Sequence, residues 1–195
     1  MVLEKITAFI LDEDAQNILV IHHPDGGLQL VSGTVERHEA PIDALRRECL
    51  EETGLTVRGV QQLWSEETSL EDVWRVLLED VEGDGERMLL RGHRVEILEE
   101  EGDKVRVQEV EYDLSVHPPV PIRFYAGEAM PGQLSRHVVR HFFVCRAAGQ
   151  ERSWRRCDEG RELCLEWMPL GGEFTLTAPH DAWFTKLSSC LAQWG

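Results

Sequence analysis

Positive charge is scarce in this sequence. Against 36 Asp and Glu stand only 20 Lys and Arg, a formal net charge of −16. That balance speaks against non-specific binding to duplex nucleic acid, where phosphate contacts come mainly from Lys and Arg. It also disfavours attachment to anionic membrane surfaces. Long apolar runs are missing too: no stretch approaches about 18 consecutive apolar residues, so no spanning helix is expected. Met1–Asp14 contains Glu4 and Asp12 and no cleavage-site pattern, which is unlike a signal peptide. The five cysteines, Cys49, Cys145, Cys157, Cys164 and Cys190, are odd in number and scattered, with no C-x-x-C pair. This excludes a disulfide framework and makes a structural zinc site improbable. Each has apolar neighbours, so buried reduced thiols and a cytoplasmic location are expected. Internal repeats and low-complexity segments are absent as well.

What is present is an ordinary globular composition, 42% apolar and 29% charged over 195 residues. A chain of this length buries roughly 70% of its unfolded surface and needs no metal or disulfide merely to fold. The expectation is a single domain, 1–195, enlarged by an insertion around 83–130. Ile6–Leu11 and Ile18–His22 read as strands joined by the turn-rich Asp12–Asn17, and Pro24–Gly27 as a loop. The strongest helix pattern covers residues 40–53. Pro41 suits a first turn, Ile42, Leu45 and Cys49 form an apolar stripe, and Gly54-Leu55 is a helix-ending pair.

Further on, Ser69–Val81 fits either a short amphipathic helix or a strand. Residues 86–115 turn to β, with Glu101-Gly102-Asp103 as a hairpin turn. Ser135–Cys145 has the apolar density of a buried strand, and Leu163–Met168 reads as another. Trp183, Phe184, Leu187, Cys190, Leu191 and Trp194 recur with helical period behind Thr177 as N-cap and Pro179. Between Glu96 and Asp113 lie eight acids and two bases, the expected solvated face of a hairpin. Between Arg136 and Arg161 lie seven arginines and three acids, either a patch for an anionic ligand or plain surface.

Chemistry concentrates in Gly33–Leu55, GTVERHEAPIDALRRECLEETGL. Glu48 is followed by Glu51 and Glu52, at i+3 and i+4. At 100° per residue the three carboxylates share one side of a helix. Like charges so placed repel, and a cation beside them reverses the sign. Hard oxygen donors suit Mg²⁺ or Mn²⁺ rather than soft metals. Arg47 can pair with Glu51 at i+4.

The spacing of this segment resembles the Nudix box, G-x5-E-x7-R-E-U-x-E-E-x-G-U, with U bulky and apolar. Every named position matches, Cys49 being a small residue at the first U. The resemblance covers about an eighth of the chain and implies an α/β (α+β) fold. That fold is a Nudix-type α/β/α sandwich with a mixed β-sheet, here carrying a β-rich insertion after the box helix. It further implies a Mg²⁺-dependent hydrolase, with Mn²⁺ as an alternative ion. Such an enzyme cleaves a diphosphate bond in a nucleoside diphosphate linked to another moiety by attack of water on phosphorus. A nucleoside triphosphate pyrophosphatase is one form of this, because Pro179–Phe184 faintly resembles the end of those enzymes. A nucleotide sensor without catalysis is the alternative, although such domains usually lose box carboxylates and none is missing here.

By the same resemblance Glu48, Glu51 and Glu52 are metal ligands, joined by the Ser32 carbonyl, and Glu51 and Glu52 are also catalytic. Arg47 orients a carboxylate, Glu39 supports Arg47 and the loop, and Gly33 opens the substrate site. Ser32 and His38 stand where many members carry Gly. His38 is either a phosphate contact or an exposed loop residue, and Trp183 either holds a base or sits in the core. The general base is a box glutamate or one of Glu159, Glu162 and Glu166, which otherwise pair with nearby arginines. The expected partner is a small nucleotide, with no duplex nucleic acid and no membrane. The insertion would serve as a lid, a substrate-selecting hairpin or the arm of a homodimer.

Overall fold

The computed structural model describes residues 1–23, 27–85, 87–113, 118–148, 151–158 and 161–191. In chain order the strands are β1 (Leu3–Leu11), β2 (Asn17–His23), β3 (Gly27–Gln29), β4 (Val31–Thr34), β5 (Arg58–Ser69) and β6 (Trp74–Leu77). They continue with β7 (Val81–Glu82), β8 (Met88–Leu89), β9 (Arg94–Glu101), β10 (Lys104–Asp113) and β11 (Val120–Ala129). The last are β12 (Leu134–Ser135), β13 (His137–Arg146), β14 (Ser153–Asp158) and β15 (Arg161–Pro169). Among the described residues two α-helices, α1 (Pro41–Glu48) and α2 (His180–Leu191), complete an α+β arrangement dominated by strands. No helix among the described residues is long and apolar enough to cross a membrane. The chain separates into two compact units: residues 1–6, 34–41 and 64–141 form one, and residues 7–33, 42–63 and 142–195 the other.

The second unit holds α1 beyond Pro41, α2 and most of the eight-stranded sheet. The strand order is β14-β15-β2-β1-β13-β5, with β3 on β2 and β4 on β1. The β1–β2 turn lies where Asp12–Asn17 predicts it. The Asp12 carboxylate accepts hydrogen bonds from the Gln16 N–H at 2.8 Å, the Asn17 N–H at 3.1 Å and the Asn17 side chain at 2.6 Å. Burial raises the Asp12 pKa, and these bonds outweigh it to bring the carboxyl below its ordinary value. Phe9, Ile10, Leu19, Leu30, Leu45, Phe142 and Leu165 are buried here. Each fully buried aliphatic or aromatic side chain contributes about 1.5–3 kcal/mol of transfer free energy.

On α2, Leu187 is buried and the Trp183 ring packs edge-on against Phe142 at 5.4 Å. Leu191 closes the helix, and Trp194 of the expected stripe lies outside the described residues. Pro24–Gly26 of the expected loop also lie outside them. No disulfide forms among the described residues; Cys49 and Cys145 are buried, but Cys164 and Cys190 are half-buried and Cys157 on β14 is exposed, a correction to the expectation that all five are buried.

The first unit contains a five-stranded antiparallel sheet, β11-β10-β9-β6-β12, and the two-stranded β7-β8 pair. Here the ambiguous Ser69–Val81 resolves as the short strand β6 between turns, with no helix. Trp74 pairs with Glu96 and Val76 with Arg94 across the ladder. Val76 and Leu77 are both buried, in different clusters, as successive residues of a strand with two covered faces should be. The stretch expected to be β-rich supplies β9, β10 and β11, with the β9–β10 turn at Gly102-Asp103.

The acidic run is only partly a solvated face. Glu99, Glu100, Glu101 and Asp103 are exposed, but Glu109 is largely covered, with Oε1 2.9 Å from His93 Nδ1. Burial raises the Glu109 pKa, yet the His93 hydrogen bond and the His93 and Arg87 charges bring it below the ordinary value. An alternating face explains this difference. Residues of one strand point both ways, so a run of acids cannot all be solvated once the sheet has a packed side.

Candidate active site

The candidate site is built on α1 and the turn that follows it. Asp43 stands in the first turn and Arg46 and Arg47 in the last, each sign complementing the helix dipole. Ala44 and Leu45 are buried and fix which face of the helix looks inward. The predicted helix reaches Thr53, but its winding changes. Cys49–Thr53 is a π-helical turn, not a continuation of the α-helix. A turn closed by i→i+5 bonds takes in about one residue more than the 3.6 of an α-helix. The 100° spacing used to place three carboxylates on one side therefore holds from Pro41 to Glu48 and fails beyond it.

Several local contacts fit this wide turn. The Thr53 hydroxyl donates to the Cys49 carbonyl and accepts the Leu55 N–H at 3.0 Å. Gly54 takes φ +76°, and its N–H donates to the Leu50 carbonyl at 2.9 Å. That left-handed conformation favours glycine. Two side chains from β14 reach the same turn: Trp154 Nε1 donates to the Thr53 carbonyl at 3.0 Å. Arg156 donates through Nε to the Glu51 carbonyl at 3.2 Å and through Nη2 to the Leu50 carbonyl at 3.4 Å.

Arg47 stands between two of the box carboxylates. Its Nη1 donates to Glu48 Oε1 at 2.9 Å and to Glu51 Oε2 at 3.0 Å. The side chains of Arg47 and Glu48 are 25% and 14% exposed, so this pair is shielded, whereas Glu51 is 51% exposed. Glu52 is half-buried, and its Oε2 has no solvent-accessible surface. Gly33, at the end of β4, explains the first position of the box. A β-carbon there would land inside the Glu48 carboxyl group.

Beneath the carboxylates Cys49 is fully buried. Its thiol is pushed up from the ordinary range by contact with the Cys145 side chain, then by burial, with the Glu52 and Glu48 charges adding to the effect. It is a packing residue.

The other predicted residues have local partners. Glu39 Oε2 accepts the Glu36 N–H at 2.9 Å, closing its own turn. His38 is exposed and takes φ +65°. Ser32 lies in β4, half-buried. Glu162 is an exposed partner of Arg155, at 2.8 Å, and Glu166 lies 2.9 Å from His22; Glu159 lies outside the described residues. Trp183 is half-buried and packs on His180 at 4.9 Å as well as on Phe142.

The arginine run is dispersed among structural duties. Arg136 bonds the Leu70 carbonyl and Asp72, and Arg146 the Glu13 carbonyl. Arg140 is buried against the Ile6 carbonyl at 3.0 Å, where desolvation draws its pKa down to about 10 against the opposing charge of Glu66. The residues that sequence reasoning missed are Thr53, Trp154 and Arg156. Trp154 and Arg156 come from about a hundred positions downstream, and no local pattern links them to the box.

Glu48, Glu51 and Glu52 offer only hard oxygen donors, the type that Mg²⁺ and Mn²⁺ prefer. A buried carboxylate oxygen and a shielded Glu48 on one helix end suit a cation by charge. Among the described residues, however, no three acidic, His or Cys side chains already converge as a ligand set. Glu48 and Glu51 are turned to Arg47 instead. The donor chemistry fits a divalent ion, and side-chain rotation has to complete the site.

Three solved structures show the range of likeness. The E. coli dihydroneopterin triphosphate pyrophosphohydrolase is 14% identical over 86% of this chain and 80% of its own, with a TM-score of 0.41. A NUDIX-family hydrolase from Clostridium perfringens is 14% identical over 96% and 97%, with a TM-score of 0.45. A protein described as a NUDIX hydrolase from Listeria monocytogenes is 14% identical over 99% and 95%, with a TM-score of 0.39. No curated protein matches the sequence. Residues 3–93 match the profile of the NUDIX domain. That stretch holds the complete box from Gly33 to Leu55, with every carboxylate, the arginine and both glycines in place. Residues 3–93 of the chain are accordingly a stretch similar to the NUDIX domain, the domain that carries this box.

Proposed function

We propose that the protein is a Mg²⁺-dependent pyrophosphohydrolase, able to use Mn²⁺, that cleaves a diphosphate bond in a nucleoside diphosphate linked to another moiety. Nucleoside triphosphates are among the candidate substrates. The observation that carries this reading is the packing of Glu48 against Gly33 beside Arg47, with Glu51 and Glu52 on the next turn. Glu48, Glu51 and Glu52, with the Ser32 carbonyl, would hold the ion. When bound, it neutralises the phosphate oxygens and lowers the pKa of the attacking water.

Arg47 bridges Glu48 and Glu51 and orients both. One carboxylate of the Glu51–Glu52 pair takes the proton that water loses on attacking phosphorus. Gly33 leaves the space in which the Glu48 carboxylate sits, and Glu39 holds the 36–39 turn that follows β4. The strongly acidic chain meets a polyanionic substrate here, so the cation has to mediate the encounter.

The test is a panel of nucleoside triphosphates, nucleotide sugars and dinucleoside polyphosphates, assayed with and without Mg²⁺ for release of nucleoside monophosphate or phosphate. Turnover of at least one compound is expected only with metal. The Glu52→Gln variant should be at least about 100-fold slower, as expected for loss of a metal ligand or acid–base group. Absence of turnover across the panel, with Mn²⁺ binding unchanged in Glu52→Gln, would sink the assignment.

A further inference from the structure

We propose that Arg156, assisted by Trp154, is a positioning residue that holds the π-helical turn Cys49–Thr53 and so sets the direction of Glu51 and Glu52. The inference rests on the proposed role of those two carboxylates as metal ligands.

The geometry is specific. The last carbonyls of a helix lack a full set of intrahelical donors; the Leu50 carbonyl has the Gly54 N–H, and the turn takes its further donors from elsewhere. Here the donors come from β14, an edge strand of the sheet in the same unit. The guanidinium of Arg156 spans the Leu50 and Glu51 carbonyls at 3.4 and 3.2 Å, and the Trp154 indole N–H takes the Thr53 carbonyl at 3.0 Å. Three contacts thus fall on the carbonyls of Leu50, Glu51 and Thr53, in a five-residue turn that carries both carboxylates. The Arg156 guanidinium also lies close to Gly54, where a β-carbon would come within 3.2 Å of Nη1. The left-handed glycine keeps the approach open.

Two features separate this from ordinary surface pairing. First, both side chains bind backbone rather than each other or a carboxylate. Arg155, their neighbour between them in sequence, instead pairs with Glu162. Second, the turn they bind is irregular. With these donors removed, Cys49–Thr53 can rewind toward an α-helix, whose shorter turn swings Glu51 and Glu52 away from their present directions. A cation at the end of the helix is also where the dipole welcomes one, and the Arg156 charge supplies this for the backbone carbonyls. The carboxylates then remain available for the metal, with Arg47 their neighbour.

The experiment measures Mn²⁺ binding by electron paramagnetic resonance in substrate-free protein, beside kcat and KM on the best panel substrate. Arg156→Gln should weaken Mn²⁺ binding and lower kcat by about tenfold each, the usual scale for a group that orients a ligand. KM should stay within about twofold, and Arg156→Lys, which keeps one donor and the charge, should recover part of both. Trp154→Phe, which removes the indole N–H while keeping a smaller aromatic ring, should lose about threefold. It carries the test if Arg156→Gln fails to fold.

Wild-type Mn²⁺ affinity and kcat in the folded variants would overturn the proposal, as would a loss confined to KM. Glu52→Gln is the control: if it leaves Mn²⁺ binding unchanged, the metal reading itself has failed. An effect of Glu52→Gln without one of Arg156→Gln or Trp154→Phe overturns only the positioning role.

Discussion

Two residues of the box loop show how single positions trade stability against site geometry. At Gly33 the obstacle to a side chain is the far end of Glu48, which can rotate away. Gly33→Ala should therefore cost less than about 1 kcal/mol in chemical denaturation. The displaced carboxylate should nonetheless weaken Mn²⁺ binding by about tenfold. A variant that keeps wild-type Mn²⁺ affinity would show that the Glu48 position seen here is irrelevant to the metal. His38 presents the opposite case. An L-residue at φ +65° is strained, whereas glycine adopts that conformation without a steric penalty. His38→Gly should stabilise the protein by about 0.5–1 kcal/mol, the strain released less the added backbone entropy, read from the denaturation midpoint. If stability falls instead, the exposed imidazole makes a contact worth more than the strain. If stability rises while turnover drops, His38 serves the substrate.

Among the elements, those whose evidence is local were legible from sequence, and those decided by distant neighbours were not. The α1 span, its Gly54 terminator and the Asp12–Asn17 turn follow from residues within a few positions of one another. The carboxylate set was readable for the same reason, because a box of fixed spacing encodes chemistry in one short segment. Strand β6 was ambiguous because Val73, Trp74 and Leu77 fit a helical stripe while Val76 and Leu77 also suit a strand covered on both faces. Pairing with β9 settles it, and that partner lies about twenty residues away. The π-turn was illegible. Thr53 is the only local hint, through its hydroxyl on the Cys49 carbonyl, and the donors that hold the turn sit on β14. In sequence the arginine run is open between a patch for an anionic ligand and plain surface for a related reason. Clustered in sequence, Arg140 and Arg146 lie on β13 and Arg155 and Arg156 on β14, and their partners are backbone carbonyls and a single carboxylate.

At the scale of the whole molecule, the −16 charge should make stability depend on ions in two separable ways. Diffuse repulsion among exposed acids, such as Glu99–Asp103, is relieved by any salt, since the Debye length shrinks to about 10 Å at 0.1 M. A cation held by Glu48, Glu51 and Glu52 acts differently, by binding the folded chain alone. At a free concentration about tenfold above its dissociation constant it adds roughly 1.4 kcal/mol. For a chain of this size that corresponds to a rise in Tm of roughly 3–6 °C. The expectation is that MgCl₂ raises Tm by this increment beyond NaCl at equal ionic strength. Glu52→Gln should lose the increment yet keep the response to NaCl, because one carboxylate hardly alters a net charge of this size. Equal stabilisation of wild type and variant by MgCl₂ would place the divalent ion in the diffuse atmosphere and remove the helix end as its site. An increment lost in Glu52→Gln assigns that part of the acidic charge to a specific cation and leaves the remainder as general electrostatics.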